Sequence, residues 1–422
     1  MTTSMANSER LRLRVFLNAE LVGELERQGP TRYRLAFDAA LVAQYGEGSV
    51  ILSASLPVRE EPYPSGQAKP FFEGLLPEGV ARREVARAVG VSESNGFGLL
   101  AAIGSDCAGA VVILPPDYDR PSDGEIHWLT TEEVAARLRD LPNHPLGIDP
   151  EEGIRLSLGG VQQKLIVTRA PSGEIGQPAG GAPSTHIIKP DQGGYEDLVL
   201  NEAFCLRVAK RVGLDAASAE IVRFGEIDTL MVERFDRSIA GDGRIVRLHQ
   251  EDMGQALGIL PEAKYENEGG PSLAQMFELL RGIGTARDLT SLATAVLINF
   301  LVGNSDAHGK NFALLYAVTG SVRLAPLYDI VSTAVYPELT TRLAMSIAGE
   351  DDPSAVTHDG WMEMLRENGF RPQSRQFRRD VERVVEASRQ TLDVARAEGW
   401  HRPVLDAIHG VVEERVAQLS ES

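Results

Sequence analysis

The most informative stretch of the sequence is Asn304-Ser305-Asp306-Ala307-His308-Gly309-Lys310-Asn311, which lies between two apolar runs. The run before it has apolar residues at helical spacing, and the run after it, Phe312 to Tyr316, is typical of a short strand. The stretch is therefore predicted to be a loop that leaves a buried helix and enters a strand. Aspartate and asparagine are common in ordinary turns because their side chains bond to the local backbone, so a simple turn is the alternative.

Asp306 and Asn311 have the spacing of the kinase catalytic loop, in which the aspartate acts at the acceptor hydroxyl and the asparagine helps to hold magnesium. This spacing alone is a weak signal because many turns contain the same residue types. The interpretation therefore depends on whether the other parts of a phosphotransferase occur in the chain in the right order.

Length and composition are those of a globular protein with more than one structural unit. The chain has 422 residues, of which 43% are hydrophobic and 24% charged. Cys107 and Cys205 lie far apart without metal-ligand spacing, which predicts neither a structural disulfide nor a cysteine zinc site. Met1 to Glu9 lacks the pattern of a signal peptide, and the longest apolar run, Leu292 to Val302, is too short to span a bilayer. We expect a cytoplasmic protein with no membrane contact.

The formal net charge of −18 argues against independent binding to the nucleic-acid backbone. The same charge is compatible with a local basic patch and with docking on a basic partner protein. No internal repeat is visible in the sequence. A tract rich in glycine, proline and alanine, Ala170 to Ser184, is predicted to be a flexible connection.

The first part of the chain is predicted to be mostly β with one helix. Apolar runs of strand length predict strands that include Leu13–Leu17 and Val50–Leu56, and a run rich in alanine and arginine predicts a helix at Val80–Val89. Asn143 to Gly153 mixes proline, glycine and acidic residues. This composition is typical of a linker and predicts a domain boundary near residue 150.

The second part begins with a glycine pair in Ser157-Leu158-Gly159-Gly160-Val161-Gln162-Gln163-Lys164. Glycines beside a β-run let backbone N–H groups approach a phosphate closely, although an ordinary hairpin turn has the same composition. Lys189 then ends a short β-run, and the helix that follows contains Glu202. In kinases a helix glutamate pairs with the strand lysine that contacts the nucleotide phosphates. Lys189 and Glu202 have that order, with Glu196 as a competing partner.

Two further parts of the expected order lie downstream. Thr229 to Phe235 is predicted to be a strand that runs into a charged connector. Such a connector presents backbone groups to adenine in kinases, and an exposed hairpin turn is an equal alternative. Asp329 follows a short apolar run one hairpin after the Asp306 loop, where kinases place their main magnesium-binding aspartate.

The serial order of these parts is that of a two-lobed phosphotransferase. Phosphoryl transfer requires a lysine at the phosphates, two oxygen ligands for a hard cation and one acid at the acceptor hydroxyl. The chain supplies these groups as Lys189, Asn311, Asp329 and Asp306.

The motifs together resemble those of the HipA family, bacterial serine/threonine kinases that act as toxins of type II toxin–antitoxin pairs. The resemblance spans essentially the whole chain and includes the Phe71–Gly79 motif of the first domain. Its other segments are Ser157–Lys164, Thr185–Pro190, Val232–Arg237, His249–Gly258, Lys264–Ser272, Asn304–Asn311 and Leu327–Ser332. No chemical step is assigned to the motif His249-Gln250-Glu251-Asp252, which we expect to stabilise the helical lobe.

The resemblance implies a role for each matching position. Asp306 would be the catalytic base, and Asn311 and Asp329 would hold Mg²⁺. Lys189 would contact the phosphates of ATP. Glu233 would hold adenine by its backbone and Phe235 by packing. The implied nucleotide site also contains Gly159, Gly160, Val161, Gln162, Gln163, Lys164, His308, Lys310 and Tyr328, and for His308 a structural bond within the loop is the alternative.

The resemblance also implies regulation and partners. Ser157 matches the serine that this family autophosphorylates, and its modification would add close to two negative charges beside the phosphate-binding turn. We expect that phosphate to expel the turn and switch the kinase off. The implied partners are a HipB-like DNA-binding antitoxin, operator DNA only through the antitoxin complex, and a translation-related target such as an aminoacyl-tRNA synthetase.

We therefore predict an α+β architecture, with a mostly β N-terminal domain at 1–150 and a two-lobed protein-kinase-like domain at 151–422. Its N-lobe is expected at about 151–236 and its helical C-lobe at about 237–422. The predicted function is Mg-ATP-dependent phosphorylation of a protein serine or threonine. Two alternatives stay open, namely a catalytically silent co-repressor that binds the antitoxin and a small-molecule kinase on a related scaffold.

Overall fold

An antiparallel hairpin begins the first domain. The computed structural model describes residues 12–29, 31–118, 123–149, 154–159, 162–191, 195–317 and 320–421. Strand β1 (Arg12–Leu17) is joined to β2 (Glu20–Arg27) through Asn18, whose φ of +53° is a left-handed conformation that asparagine tolerates. With β3 (Tyr33–Phe37) and β4 (Val111–Leu114) they form a sheet of order β3-β2-β1-β4. The strand predicted at residues 13–17 is confirmed.

The described residues before Leu114 also form four helices, whereas the sequence predicted one in this region. They are α1 (Ala39–Tyr45), α2 (Ser65–Gly74), α3 (Gly79–Ala88) and α4 (Gly96–Ile103). Helix α3 is the predicted one. Helix α2 was not predicted because Pro70 lies inside it, and α4 was not predicted because its residues are apolar on nearly every side. The strand predicted at Val50–Leu56 is wrong, since these residues form turns that contact the second domain.

A six-stranded antiparallel sheet of order β5-β7-β6-β8-β10-β9 forms the N-lobe of the second domain. Strand β5 and helix α5 (Thr131–Arg139) join this sheet although they precede the predicted boundary near residue 150. Strand β7 lies within Ala170–Ser184, so the prediction of a flexible connection there is wrong. The strands are β5 (Glu125–Leu129), β6 (Leu165–Arg169), β7 (Ile175–Ala179), β8 (His186–Pro190), β9 (Ala219–Phe224) and β10 (Ile227–Glu233).

Helix α6 (Leu198–Val212) packs against the N-lobe sheet, and the C-lobe is helical as predicted. Helix α9 begins at a capping box between Thr285 and Asp288, and its buried apolar residues confirm the predicted helix before the Asp306 loop. No helix in the described part of the chain is long and apolar enough to cross a membrane. The C-lobe helices are α7 (Met253–Ala256), α8 (Leu273–Ile283), α9 (Ala286–Leu301), α10 (His358–Glu367), α11 (Ser374–Ala397) and α12 (Pro403–Glu421).

The described residues also form two small sheets. One pairs β11 (Arg237–Ile239) with β12 (Ile245–Arg247). The other contains β13 (His249–Asp252), β14 (Ala313–Tyr316) and β15 (Val322–Leu324). Strand β14 directly follows the Asp306 loop and β15 leads to Asp329, so this sheet fixes the two acidic residues relative to each other. The hairpin predicted between them is confirmed.

Buried charges join the first domain to the second. Asp106 of the first domain is buried and lies 3.0 Å from Arg237 Nη2, 3.0 Å from Arg247 Nε and 3.7 Å from Arg234 Nη1. Burial alone would raise the pKa of Asp106, but the three guanidinium groups lower it below its ordinary value. Removing one partner from such a cluster would leave a buried charge without a counter-charge, which is strongly destabilising. The cluster therefore holds the two domains in one arrangement.

Candidate active site

A cavity of about 510 Å³ lies between the six-stranded sheet and the helical lobe. Ser157 and Gln163 do not line it, and Gly160 and Val161 lie outside the described residues. The other residues predicted from the sequence all line it, namely Gly159, Gln162, Lys164, Lys189, Glu233, Phe235, Asp306, His308, Lys310, Asn311, Tyr328 and Asp329.

Lys189 is a buried cation that lines the cavity. Its Nζ donates hydrogen bonds to Glu202 Oε1 and Oε2 at 2.8 and 3.0 Å and to Asp329 Oδ1 at 2.9 Å. Glu202 of helix α6, and not Glu196, is therefore its helix partner. Burial alone would lower the pKa of Lys189, but the carboxylates of Asp329 and Glu202 raise it above its ordinary value. The ammonium group stays charged at neutral pH.

The predicted catalytic loop is held by its own polar groups. At its start, Asn304 Nδ2 donates to Asn299 Oδ1 at 2.7 Å. At its end, the backbone N–H of His308 donates to Asn311 Oδ1 at 3.1 Å. The side chain of Asp306 lies between these two anchors, exposed at the cavity. The loop can thus present a carboxylate to a bound molecule without depending on that molecule for its own shape.

Asp329 joins Lys189 to Asn311. Its φ of +56° is a left-handed conformation that is uncommon outside glycine, asparagine and aspartate. Oδ1 accepts from Lys189, and Oδ2 accepts from Asn311 Nδ2 at 3.2 Å. The charge of Lys189 lowers the pKa of Asp329 to about 2. This shift occurs although 45% of the Asp329 side chain is exposed to the cavity. A charged carboxylate and an amide therefore lie side by side.

Tyr265 is a residue of this site that the sequence did not predict. Its hydroxyl donates to Asp306 Oδ1 at 2.8 Å, and its ring packs edge-on against His308 with 5.7 Å between ring centres. The Nδ1 atom of His308 is buried without a hydrogen-bond partner among the described residues, and burial lowers the pKa of its ring. Tyr265 lies 41 residues before Asp306, so no local pattern links them.

Lys164 and Ser157 flank the glycine turn. Lys164 Nζ donates to the Gly159 carbonyl at 2.9 Å, and burial together with the charge of Lys189 lowers its pKa to about 8. Ser157 is fully buried, and its Oγ donates to the Leu75 carbonyl at 2.7 Å. The serine predicted to be autophosphorylated is thus held against the first domain in this conformation.

Another wall of the cavity is aromatic. The rings of Phe235 and Tyr328 lie 5.5 Å apart at an angle of 33°, and the Tyr328 hydroxyl donates to the Lys310 carbonyl at 2.7 Å. Aromatic faces of this kind suit a planar base. The backbone N–H of Glu233 already donates to the Ser218 carbonyl at 2.8 Å. Its carbonyl is then the backbone group of Glu233 that a ligand can use.

The first domain reaches the cavity through Glu78. Lys310 Nζ lies 2.7 Å from Asp252 Oδ2 and 3.5 Å from Glu78 Oε1. Burial alone would lower the pKa of Lys310, but the two carboxylates raise it above its ordinary value. Because Glu78 belongs to the Phe71–Gly79 motif, that motif contributes to the cavity as well as to the core of its own domain, which the sequence did not indicate.

The motif His249-Gln250-Glu251-Asp252 also docks the first domain. His249 Nε2 is hydrogen-bonded to the Leu52 carbonyl at 2.7 Å, and Glu251 accepts from Ser53 Oγ at 2.5 Å and the Ala54 N–H at 2.9 Å. Asp252 caps helix α7. Within the second domain, Glu251 also accepts from the Tyr316 hydroxyl. The expectation that this motif stabilises the helical lobe was incomplete, because His249 and Glu251 also have partners almost 200 residues upstream.

Family models and known proteins match almost the whole chain. The model described as HipA N-terminal domain matches residues 13–114, and the model described as HipA-like C-terminal domain matches residues 156–392. The serine/threonine-protein kinase toxin HipA of Shewanella oneidensis is 33% identical over 368 residues, which cover 83% of this chain and 82% of that protein. A Sinorhizobium fredii protein named "Putative kinase Y4mE" is 40% identical over 364 residues, which cover 85% of this chain and 86% of that protein.

A solved structure extends this similarity to the fold. The complex of HipA, HipB and operator DNA from Shewanella oneidensis MR-1 contains a chain that matches with a TM-score of 0.79 and 28% sequence identity. The match covers 97% of both chains. The α+β architecture with a kinase-like second domain is therefore shared along nearly the full length.

Proposed function

This chain belongs to the HipA family, and we propose that it is an Mg-ATP-dependent serine/threonine protein kinase. The observation that carries this proposal is the buried pair of Lys189 and Glu202 beside Asp329, in a cavity that also contains Asp306 and Asn311. Phosphoryl transfer depends mainly on positioned charge and requires little covalent chemistry from the protein. Lys189, Glu202, Asp306 and Asp329 supply that charge, and Asn311 adds a neutral amide.

In the proposed reaction, Lys189 and Lys164 bind the phosphates and Asp306 accepts the proton of the acceptor hydroxyl. Bound Mg²⁺ would neutralise charge on the phosphates. Asp329 and Asn311 would hold such an ion because carboxylate and amide oxygens are hard ligands. Here Asn311 faces Asp329 with Nδ2 while its Oδ1 accepts from the His308 N–H, so the amide would have to turn to offer its oxygen. The described residues contain no cluster of three or more His, Cys, Asp or Glu groups suited to a metal ion. Two protein ligands are enough for Mg²⁺, which keeps water and phosphate oxygens around it.

The aromatic wall is the proposed adenine site. Phe235 and Tyr328 would pack on the base, and the Glu233 carbonyl would accept a hydrogen bond from it. Lys310 would act indirectly, since its carbonyl accepts from Tyr328 while its ammonium group is bonded to Asp252. The remaining residues proposed to contact the phosphates are Gly159, Gln162 and His308, which line the same cavity.

We propose Ser157 as the autophosphorylation site and its phosphate as an off switch. Ser157 Oγ is buried against Leu75, so it can reach Asp306 only after its segment has left this position. A phosphate would add close to two negative charges. Such a group cannot return to a buried site without a large desolvation penalty, so the turn that ends at Lys164 would stay displaced.

The biological role that we propose is that of the toxin in a type II toxin–antitoxin pair. The similar chain solved in complex with HipB and operator DNA supports a HipB-like antitoxin as partner, with operator DNA bound through it. The net charge of −18 is compatible with a basic partner. A translation-related target such as an aminoacyl-tRNA synthetase rests on family resemblance alone.

Intact mass and phosphosite mapping after incubation with Mg-ATP test the proposal. We expect one added phosphate at Ser157 of the wild type and none on Asp306→Asn. A Ser157→Ala variant should keep its activity after incubation with ATP, and its inactivation would contradict the switch. A wild type that binds ATP without gaining mass would favour the silent co-repressor or the small-molecule kinase. Absence of ATP binding would refute the nucleotide site.

A further inference from the structure

Tyr265 makes a direct contact with the proposed catalytic carboxylate. The distance from its hydroxyl to Asp306 Oδ1 is 2.8 Å, and no other described side chain donates a hydrogen bond to that carboxylate. The aromatic ring of Tyr265 packs edge-on against His308, a residue of the catalytic loop. The ammonium group of Lys264 lies 4.8 Å from the centre of the Tyr265 ring. The second carboxylate oxygen of Asp306, Oδ2, is left for a ligand.

The backbone around Tyr265 is fixed from several sides. The Tyr265 carbonyl accepts from the Gly270 N–H at 2.8 Å, and the next residue, Glu266, donates its N–H to the Ala344 carbonyl at 3.0 Å. Pro271 packs so closely on Gly309 of the catalytic loop that a Cβ atom at Gly309 would collide with the proline ring. The hydroxyl of Tyr265 is therefore placed by a rigid segment, as a preorganised site requires.

The catalytic loop does not need Tyr265 for its own shape. Asn304 is bonded to Asn299, and the Ser305 N–H donates to Thr333 Oγ1 at 2.8 Å. These bonds fix the backbone on the N-terminal side of Asp306. Burial and the negative charge of Asp306 raise the pKa of Tyr265, so its hydroxyl stays protonated and remains a donor. The bond to Asp306 thus acts on the orientation of one side chain.

We propose that Tyr265 is a positioning residue that holds Oδ1 of Asp306 and directs Oδ2 to the acceptor hydroxyl. This inference rests on the proposed kinase function. In the step concerned, the hydroxyl proton passes to Oδ2 and the acceptor oxygen bonds to the γ-phosphorus. At the same time the bond from that phosphorus to the bridging oxygen of the leaving ADP breaks, so that ADP departs with the bonding electrons.

The test compares autophosphorylation rates of the wild type, Tyr265→Phe and Tyr45→Phe over a range of Mg-ATP concentrations, measured by intact mass. Tyr265→Phe keeps the ring and removes only the hydroxyl. Loss of a hydrogen bond to a charged group predicts a plateau rate lower by about 10- to 100-fold, with the half-saturating ATP concentration unchanged. Tyr45→Phe removes a matched hydroxyl that donates to Glu20 on the first domain, and should behave as the wild type.

The possible outcomes separate the inference from the function on which it rests. A wild-type plateau rate in Tyr265→Phe would overturn the positioning role while leaving the kinase proposal intact. A lower rate accompanied by equally weakened ATP binding, measured by calorimetry, would also overturn it, because the hydroxyl would then support the cavity as a whole. A wild type that gains no phosphate would refute the proposed function and the inference together.

Discussion

Lys189 and Lys164, two buried lysines that line the cavity, differ in their partners. Lys189 has the carboxylates of Glu202 and Asp329, whereas Lys164 donates to the Gly159 carbonyl and faces the charge of Lys189. Burial removes water from both ammonium groups, which by itself would lower the pKa of each lysine. The carboxylates raise the pKa of Lys189 above its ordinary value, while the pKa of Lys164 falls to about 8. The charge of Lys164 therefore changes within the pH range of an ordinary assay.

We predict that ATP binding by the wild type weakens as pH rises through 8, because Lys164 then loses its proton. One bond from a charged donor to phosphate predicts a rise in Kd of about tenfold between pH 7 and pH 9. Lys164→Arg keeps its charge over this range and should show no such loss. Isothermal titration calorimetry with ATP at each pH measures the effect. The same slope in both proteins would show that Lys164 does not contact the phosphates.

Single residues were predictable where chain order defines their partners. Lys189, Glu202 and Asp329 follow one another as in a phosphotransferase, and the structure brings them within hydrogen-bond distance. Tyr265 and Glu78 were not predictable. Each meets the predicted catalytic loop only through tertiary packing, and neither stands at a spacing that a local rule recognises.

At the scale of elements, the segment Lys264–Pro271 packs on the C-terminal side of the Asp306 loop, where Pro271 lies against Gly309. We predict that Gly309→Ala lowers the autophosphorylation rate by at least about tenfold, because the added Cβ atom would collide with Pro271 and displace the loop. Intact mass measures that rate.

Gly410→Ala is the matched control for this substitution, since Gly410 is an exposed helical glycine with open space around it. The control should keep the wild-type rate and gain about 0.5–1 kcal/mol of stability in thermal unfolding. A wild-type rate in Gly309→Ala would mean that the contact with Pro271 does not position the loop.

Elements were predictable where their hydrophobic pattern had a clear period. Helix α9 has apolar residues at helical spacing from its first turns onward and was recognised from them, although its last two turns, Ala295 to Leu301, are buried on every side. Helix α4 is apolar almost throughout and has no such stripe. Strand β7 was taken for a flexible connection because of its glycine and proline. Its Gly176 instead allows Ile126 of the neighbouring strand β5 to pack closely, since a Cβ atom there would collide with that side chain.

At the scale of the whole molecule, the first domain is part of the proposed kinase site. Glu78 lines the cavity, the Leu75 carbonyl holds Ser157, and Glu251 in the second domain binds the turn at Ser53. Composition indicated two domains but gave no sign that they share one site. Such contacts depend on long-range pairing, which a single sequence does not specify.

The contact at Glu251 predicts how the joined domains respond to pH. Burial raises the pKa of Glu251 to about 7, although donors from Ser53, Tyr316 and Ala54 act against this increase. Between about pH 4.5 and 7 the folded chain therefore binds a proton that the unfolded chain releases. The contribution of protonated Glu251 to the free energy of unfolding is fully present below about pH 4.5 and is lost as pH rises through 7. The total loss is about 3 kcal/mol.

We predict that Glu251→Gln and the wild type have similar stability at pH 5, and that the variant is more stable at pH 8.5. Urea unfolding followed by circular dichroism measures the difference, with Glu363→Gln as an exposed control. Burial lowers the pKa of His249 to about 4, so the contribution of neutral His249 to the free energy of unfolding is lost as pH falls. Both proteins contain His249, so this contribution cancels in the comparison. If the variant is less stable by the same amount at both pH values, Glu251 is charged in the folded state. The domains would then be held by a carboxylate that its three donors keep ionised, and their contact would not weaken above neutral pH.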